Sequence, residues 1–340
     1  MRVTHRSRLL LIGAGLTALA IQPALAKTRD YPTTATAVQP DRYPDRVTKF
    51  PGGVVGLANV VYSVIPGYRP MIIDLYLPPK GTAAKPLVMY IHGGGWVSGD
   101  TRHAGATEDF PKVLASLAAE GFVVASLEYR LAGEAPYPAP LQDARAAIRY
   151  LKANADKYGI DPSRVGVWGG SAGGHLTALA ATTCGVTTLE APLAKGMPAP
   201  AAGSECVQAA VTWYGVFDFN AMAARAATGD GSISRLMKCV GPCDAATLNT
   251  ASAITYVNAK TPPFLLIHGT DDHVVPVAQS HDFEAKLKAA GVPVEAIYIP
   301  GVDHSFVGKT LAETHAATNQ ALNATFDYFH AQLGVKRVSH

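Results

Sequence analysis

Short apolar segments that alternate with amphipathic segments constrain the fold of this 340-residue chain more than any other feature. Apolar runs of strand length occur at Val54–Ile65, Met71–Leu77, Leu87–Ile91, Phe122–Leu127, Val165–Trp168, Val207–Tyr214, Phe264–Ile267 and Val294–Ile299. Helical periodicity of three and four residues marks Leu141–Leu151, Ser171–Ala181, Val277–Ala290 and Leu322–Leu333. Buried-type strands that alternate with helices are typical of a mostly parallel sheet with helices on both faces. The sequence therefore predicts an α/β fold.

Two stretches depart from this rhythm. Only residues 66–70 separate Val54–Ile65 from Met71–Leu77. That is too short for a crossover helix, so these runs are expected to form an antiparallel hairpin at one edge of the sheet. Residues 217–260 are polar and poor in strand-like runs, which is typical of a lid or a binding loop. We expect residues 51–340 to form one domain with a small cap insertion at about 217–260.

The first 26 residues have the organisation of a secretory signal peptide. Three arginines precede the apolar run Leu9–Ile21, which is too short to span a bilayer, and Ala24-Leu25-Ala26 offers the small residues of a cleavage site. Residues 27–50 are expected to form an extended lead-in. The protein is therefore predicted to be exported, to the periplasm or the medium, with no stable membrane insertion after cleavage.

The charge of the predicted mature chain is balanced. The full chain has 29 Lys+Arg and 26 Asp+Glu, and residues 1–26 contain three arginines and no acidic residue. A net charge near zero gives no electrostatic footprint for nucleic acid or an anionic membrane. We therefore expect no nucleic-acid partner.

All four cysteines lie in the predicted exported part. An even number of cysteines in an oxidising compartment is typical of disulfides. We favour pairing Cys184 with Cys206 and Cys239 with Cys243, because each pair closes a local loop that contains Gly and Pro. The alternative, a metal site, is disfavoured because the sequence has no C-x2-C pair and no histidine at ligand spacing beside the cysteines.

The motif Gly169-Gly170-Ser171-Ala172-Gly173 follows the run Val165–Trp168 and opens a helical pattern. A serine at such a strand-to-helix turn has a strained backbone, and flanking glycines remove the side chains that would clash. The helix N-terminus also favours developing negative charge at this point. Ser171 is therefore the predicted nucleophile, and the alternative is an ordinary glycine-rich connection.

A second glycine motif, His92-Gly93-Gly94-Gly95-Trp96, follows the run Leu87–Ile91. Consecutive glycines let the main chain approach a ligand, and their N–H groups can form a pocket for an oxyanion. We assign the N–H groups of Gly94 and Gly95, with that of Ala172, to an oxyanion hole. The alternative is a flexible loop.

A serine nucleophile needs a base, and the base needs an orienting acid. With this serine motif, the acid and the histidine follow the serine in that order. Asp272, in the loop after Phe264–Ile267, is the predicted acid, and Asp271 is the alternative. His304, in the loop after the last apolar run, is the predicted base. Asp271, Asp272 and His273 could suggest a metal site, but adjacent side chains on one loop seldom converge on one ion. We expect no metal and no cofactor.

Five further segments carry a family resemblance, which extends over about residues 55–333. They are Tyr129-Arg130-Leu131, Ala135–Asp143, Tyr158–Val165, Asp272–Pro276 and His304-Ser305-Phe306. With the two glycine motifs, they resemble the α/β-hydrolase esterases of the hormone-sensitive-lipase-like group. The closest likeness is to the BD-FAE-type bacterial carbohydrate esterases, which act on acetyl and feruloyl esters of plant polysaccharides.

This resemblance implies an α/β-hydrolase fold and a triad of Ser171, Asp272 and His304. It implies a serine carboxylic-ester hydrolase that forms an acyl-enzyme, acting on short-chain acyl or feruloyl esters of carbohydrates. One alternative is an amidase or formamidase of the same fold. Another is a non-catalytic binding protein with a hydrolase fold, which predicts the loss of a triad member.

Overall fold

The computed structural model describes residues 29–33, 46–81, 83–191, 203–225 and 231–336. The predicted signal peptide, 1–26, lies outside these ranges, as does most of the lead-in. The described residues form nine strands: β1 (Val47–Lys49), β2 (Val55–Ser63), β3 (Met71–Leu77), β4 (Lys85–Ile91), β5 (Val123–Leu127), β6 (Ile160–Gly170), β7 (Ala209–Trp213), β8 (Phe264–Gly269) and β9 (Val294–Ile299).

The same residues form nine α-helices: α1 (Phe110–Ala119), α2 (Ala139–Ala153), α3 (Ala155–Tyr158), α4 (Ala172–Thr182), α5 (Phe219–Arg225), α6 (Gly231–Met237), α7 (Ala245–Ala251), α8 (Ala278–Ala289) and α9 (Leu311–Gln332). Short 3-10 turns follow some of these elements. Among the described helices, none combines the length and the apolar character that a membrane span requires.

The strands form one sheet in the order β1-β2-β3-β5-β4-β6-β7-β8-β9. The pairs β1–β2, β2–β3 and β3–β5 are antiparallel, whereas every later pair is parallel. The predicted mostly parallel sheet is therefore confirmed, and β2 and β3 form the expected hairpin. This hairpin is not the outermost element, because β1 pairs with the free side of β2. That strand lies at the end of the predicted lead-in, and its three residues are too few to show a periodic pattern.

Helices cover both faces of the sheet, as the sequence predicts. Adjacent residues of a strand point to opposite faces. In β4, Met89 belongs to the hydrophobic cluster that includes residues of α2, α4 and α8, whereas Val88 belongs to the cluster that includes residues of α1 and α9. Leu176 of α4 and Phe326 of α9 are fully buried on the two sides. Full burial of side chains of this size stabilises a fold by about 1.5–3 kcal/mol each. The two faces together hold the loops at the ends of the strands in fixed positions.

Residues 217–260 contribute α5, α6 and α7, and their described part contains no strand. The segment packs against the rest of the domain through backbone and ring contacts. The N–H of Tyr137 donates to the carbonyl oxygen of Leu236 (2.7 Å), and the ring centroids of Trp96 and Phe219 lie 5.4 Å apart. The described part of this segment therefore forms three short helices between β7 and β8, and its role as a cap stays a prediction.

Both predicted disulfides are present. Cys184, after α4, pairs with Cys206, before β7, and their Cα atoms are 4.9 Å apart. Cys239 pairs with Cys243 between α6 and α7, with Cα atoms 5.4 Å apart. The pairing inferred from loop composition is therefore confirmed. The first bond closes the loop between α4 and β7, and the second closes the turn between α6 and α7.

Candidate active site

The predicted site residues lie at one edge of the sheet. Strands β4, β6, β7, β8 and β9 are parallel neighbours, so their carboxyl ends meet at the same edge, where ligands bind in open α/β sheets. The loops that leave this edge carry Gly94 and Gly95 after β4, Ser171 after β6, Asp272 after β8 and His304 after β9.

Ser171 occupies the turn between β6 and α4 with φ 57° and ψ −123°. A side chain in this region of φ is strained, and the structure holds it there by close neighbours. The N–H of Ser171 donates to the carbonyl oxygen of Trp213 (2.9 Å). A Cβ at Gly170 would lie 3.0 Å from the ring of Tyr214, and one at Gly173 would lie 2.0 Å from the carbonyl oxygen of Ile91. Glycine is therefore required at position 173, and any side chain at position 170 would have to displace the Tyr214 ring.

The three residues predicted as a triad form one hydrogen-bonded chain. The Oγ of Ser171 lies 2.9 Å from Nε2 of His304, and Nδ1 of His304 lies 2.8 Å from Oδ2 of Asp272. A carboxylate oxygen accepts hydrogen bonds, so Nδ1 carries the proton and Nε2 accepts the hydrogen of the serine hydroxyl. The side chain of Asp272 is buried, whereas Ser171 is partly exposed. This arrangement can activate a serine hydroxyl that a ligand can reach.

The environment of Asp272 favours its ionised form. Burial alone would raise the pKa of Asp272, but hydrogen bonds from His268 and His304 hold this pKa well below its ordinary value. The other oxygen, Oδ1, accepts hydrogen bonds from the N–H groups of Val274 (2.9 Å) and Val275 (2.7 Å). The carboxylate is therefore charged and fixed in orientation.

Asp271, the alternative acid, lies outside this chain. Its side chain is exposed, and its Oδ1 accepts a hydrogen bond from the hydroxyl of Thr270 at 2.8 Å. No contact joins it to His304 among the described residues. Of the two adjacent carboxylates, only Asp272 faces the histidine.

The loop after β4 has three consecutive residues with positive φ, Gly94 (106°), Gly95 (59°) and Trp96 (62°). The N–H groups of Val97 and Ser98 both donate to the carbonyl oxygen of Gly94, each at 3.1 Å. A Cβ at Gly94 would lie 2.2 Å from the carbonyl oxygen of Ser98, so this position needs glycine. A side chain at position 94 is therefore incompatible with the observed conformation of this turn.

This loop abuts the serine turn. A Cβ at Gly93 would lie 2.9 Å from the carbonyl oxygen of Gly170 and 3.5 Å from Cβ of Ser171. Ala172, directly after the serine, is the first residue of α4, and the first N–H groups of a helix have no acceptor within it. The predicted oxyanion donors therefore belong to two turns in contact with each other.

His175, in α4, is hydrogen-bonded to the loop that contains Gly94 and Gly95. The indole N–H of Trp96 donates to Nδ1 of His175 (3.0 Å), and Nε2 of His175 donates to the carbonyl oxygen of Ala251 (2.7 Å). Burial lowers the pKa of His175 to about 4, so the ring is neutral and bridges the two partners. One helix of the domain is thereby tied to both the glycine loop and α7.

Sequence reasoning missed two contacts of the site. The ring of Tyr214, which follows β7, lies 4.7 Å from that of His304, and burial raises the pKa of its phenol. His268, inside β8, contacts Asp272. The position of Tyr214 after a parallel strand was a usable signal, because such strands end at one edge. A histidine inside a buried strand gives no comparable signal.

Comparisons with known proteins identify relatives of the chain. Residues 73–287 match the BD-FAE family. Esterase LipC of Mycobacterium tuberculosis is 34% identical over 66% of this chain and 54% of its own length. The chain spans little more than half the length of LipC and of two further mycobacterial relatives, the esterase LipQ (55%) and the probable carboxylic ester hydrolase LipM (57%).

Solved structures agree with the family match. A truncated carbohydrate esterase from gut microbiota superposes with a TM-score of 0.66 at 29% identity, covering 82% of this chain and 96% of that one. An acetyl ester-xyloside bifunctional hydrolase from Caldicellulosiruptor lactoaceticus superposes with a TM-score of 0.65 at 28% identity, covering 81% and 96%. With the sheet order and the serine turn described above, these likenesses identify the α/β-hydrolase fold. The chain belongs to the BD-FAE family of α/β-hydrolase esterases.

Proposed function

We propose that the protein is a serine carboxylic-ester hydrolase in which Ser171 is the nucleophile, His304 the base and Asp272 the orienting acid. The observation that carries this proposal is the 2.9 Å contact between Oγ of Ser171 and Nε2 of His304. It lies within the range that general-base activation of a hydroxyl requires. The partly exposed serine leaves room for an ester carbonyl to approach.

The first half of the reaction acylates the serine. His304 takes the hydroxyl proton on Nε2 while Oγ attacks the ester carbonyl carbon, and Asp272 stabilises the imidazolium that results. The oxyanion is held by the N–H groups of Gly94, Gly95 and Ala172. The proton on Nε2 then passes to the leaving alkoxide, so the alcohol departs and an acyl-serine remains.

The second half hydrolyses the acyl-serine. His304, neutral again, takes a proton from a water molecule, which attacks the acyl carbon. The same three N–H groups hold the second oxyanion. The proton then returns to Oγ of Ser171, the carboxylic acid leaves, and the starting state is restored.

We propose that the substrates are short-chain acyl or feruloyl esters of carbohydrates. Support comes from the two solved structures above, which are named as a carbohydrate esterase and as an acetyl ester-xyloside hydrolase. Both are matched over 96% of their length, so the shared part includes their fold core.

We also propose that the protein is exported after removal of residues 1–26. The two disulfides support an oxidising compartment, since such bonds persist outside the reducing cytosol. Expression of the full chain in a secreting bacterial host, followed by N-terminal sequencing, tests this directly. The proposal expects a first residue of Lys27, and a retained Met1 in the folded protein would contradict it.

Hydrolysis of a matched substrate panel tests the proposed activity. The panel contains p-nitrophenyl acetate, p-nitrophenyl octanoate, methyl ferulate, an acetylated xylo-oligosaccharide, p-nitroacetanilide and a formamide. We expect turnover of the acetyl or feruloyl esters, with loss of activity in a folded Ser171→Ala variant. Turnover confined to the anilide or the formamide would favour the amidase alternative, and turnover of no substrate would favour a binding role.

A further inference from the structure

We propose that His268 is a positioning residue that sets the basicity of His304 through an oxygen of Asp272 that both histidines share. The inference rests on the function proposed above and adds a fourth side chain to its hydrogen-bonded chain. The role is distinct from that of a catalytic residue, because His268 contacts neither Ser171 nor any place that a substrate could occupy.

Three polar contacts hold His268 in the interior. The residue lies in β8 and is fully buried. Its Nε2 is 3.1 Å from Oδ2 of Asp272 and 2.9 Å from the carbonyl oxygen of Val275. Its Nδ1 is 2.7 Å from Oγ of Ser280 in α8. The first of these contacts links His268 to the triad, since Oδ2 of Asp272 is also 2.8 Å from Nδ1 of His304.

These partners define the tautomer of His268. The carboxylate and carbonyl oxygens around Nε2 can only accept, so Nε2 carries a hydrogen. In the neutral ring Nδ1 is an acceptor, and the Ser280 hydroxyl donates to it. Ser280 therefore favours the tautomer that directs an N–H at Asp272.

The shared oxygen couples the two histidines. Oδ2 receives one N–H from His304 and a second from His268, and the second donor draws on the negative charge that stabilises the His304 imidazolium. Loss of the His268 donor concentrates that charge on His304. The protonated form of His304 then becomes more stable. His304 therefore stays protonated to a higher pH, and the active, neutral form requires a higher pH than in wild type.

Other groups also face His304 and must be held constant. Oδ1 of Asp303 accepts a hydrogen bond from the N–H of His304 (2.6 Å), and its Oδ2 pairs with the exposed His273 (3.0 Å). The Tyr214 ring and the Ser171 hydroxyl complete the surroundings. None of these groups contacts His268 or Ser280, so substitutions at those two positions isolate the coupling.

The experiment follows the titration midpoint of His304 by NMR of the imidazole in the full folded protein. The variants are His268→Leu, which removes the donor, His268→Gln, which keeps an N–H at the place of Nε2, and Ser280→Ala, which releases the tautomer. His330→Gln is the matched control, because His330 is also buried and hydrogen-bonded to a carboxylate, that of Glu120 (2.6 Å). The acid limb of kcat/KM for p-nitrophenyl acetate is recorded in parallel.

We expect His268→Leu to raise the midpoint of His304 by about half a pH unit to one unit. Ser280→Ala should raise it less, His268→Gln should restore it toward wild type, and His330→Gln should leave it unchanged. The acid limb of the rate profile should move by the same amount. A purely structural role would lower stability without moving the midpoint.

Unchanged midpoints in His268→Leu and Ser280→Ala, or an equal shift in His330→Gln, would overturn the inference. If His268→Leu does not fold, the midpoint in Ser280→Ala decides the matter. The NMR titration needs no substrate, so its result is independent of the proposed function. Absence of ester turnover by folded wild-type protein would instead count against that function.

Discussion

Asp271 and Asp272 are adjacent in sequence, yet their carboxylates have different surroundings. Asp272 is buried against His304 and His268, whereas Asp271 faces solvent beside Thr270. An amide at position 272 would disturb the His304 tautomer and could not stabilise its imidazolium. We therefore expect Asp272→Asn to lower kcat by about 10⁴-fold, as for the acid of other serine triads.

Asp271→Asn is the matched control, and we expect its kcat to stay within about twofold of wild type because exposed substitutions away from a site have small effects. Both variants are assayed on p-nitrophenyl acetate after circular dichroism has shown that they fold. A large loss in Asp271→Asn with an active Asp272→Asn would show that the acid is Asp271 and not Asp272.

Gly94 has a backbone conformation that only glycine fits. A methyl group there would meet the carbonyl oxygen of Ser98 at 2.2 Å, at a φ of 106°. Gly94→Ala must therefore shift the loop and its N–H groups. Because the loop is proposed to supply oxyanion donors, we expect the variant to lower kcat by about 10²–10³-fold, the usual effect of losing one such donor. Gly133→Ala is the control, since Gly133 is exposed with open space around it. An unchanged kcat in a folded Gly94→Ala would remove this loop from the oxyanion hole.

The residues of the site were predictable to different degrees. Ser171 and the glycines belong to local motifs, and their order along the chain leads to Asp272 and His304. The roles of His268 and His175 arise from contacts across the fold, to Ser280 and to Trp96 and Ala251. The sequence near these two histidines does not predict such partners, because its apolar residues are equally typical of a histidine in the core.

Helix α4 connects the glycine loop to α7 through a neutral histidine, and this connection depends on pH. Burial lowers the pKa of His175 to about 4, and that of His92 also to about 4, against about 6.5 in an unfolded chain. Between these values the unfolded chain takes up protons that the folded protein does not bind. The contribution of these two histidines to stability is therefore fully present above about pH 6.5 and is lost as the pH decreases toward 4, by up to about 3 kcal/mol per histidine.

His175→Gln removes one of these two contributions. We expect urea denaturation between pH 7.5 and pH 4.5 to show a shallower loss of unfolding free energy in the variant than in wild type. Carboxylates titrate in the same range in both proteins, so their effect cancels in the comparison. Equal slopes for the two proteins would contradict a buried neutral His175.

Periodicity predicted eight of the nine strands and four of the nine α-helices of the described residues, namely α2, α4, α8 and α9. Each of the eight apolar runs contains a strand or lies within one. Burial on both faces gives the central strands β4, β5, β7 and β8 their continuous apolar sequences, whereas β2 and β9 are only partly buried. β1 was missed because it has three residues at the edge of the sheet. α9 begins at Leu311, well before the predicted start, since its first turns are held by a capping box of Thr310 and Glu313 rather than by a long apolar stripe.

The described N-terminal segment, residues 29–33, is bound to the last helix of the chain. Asn323 accepts from the N–H of Arg29 (2.9 Å) and donates to its carbonyl oxygen (2.8 Å). Asn319, one turn earlier in α9, makes the same pair of contacts with Tyr31 (2.5 and 3.2 Å). The spacing of two residues in the extended segment thus matches one turn of α9, and four hydrogen bonds fix the segment to this helix.

Replacement of both asparagines by alanine should lower the free energy of unfolding by about 2–4 kcal/mol, at about 1 kcal/mol for each of the four hydrogen bonds. Urea denaturation at pH 7 measures this loss. Asn154→Ala is the control, because Asn154 makes one local contact to the carbonyl oxygen of Tyr150, and its loss should cost about 1 kcal/mol or less. A double variant as stable as wild type would mean that the segment does not contribute to the fold.

The proposed reaction leaves a covalent mark on one residue. Rapid acid quenching during turnover of p-nitrophenyl acetate, followed by peptide mapping with mass spectrometry, locates any acyl group on the protein. We expect one acetyl group, on Ser171, and none in folded Ser171→Ala, which should also lack turnover. An acetyl group on another residue in wild type, or full hydrolysis by Ser171→Ala, would contradict the assignment of Ser171 as the nucleophile.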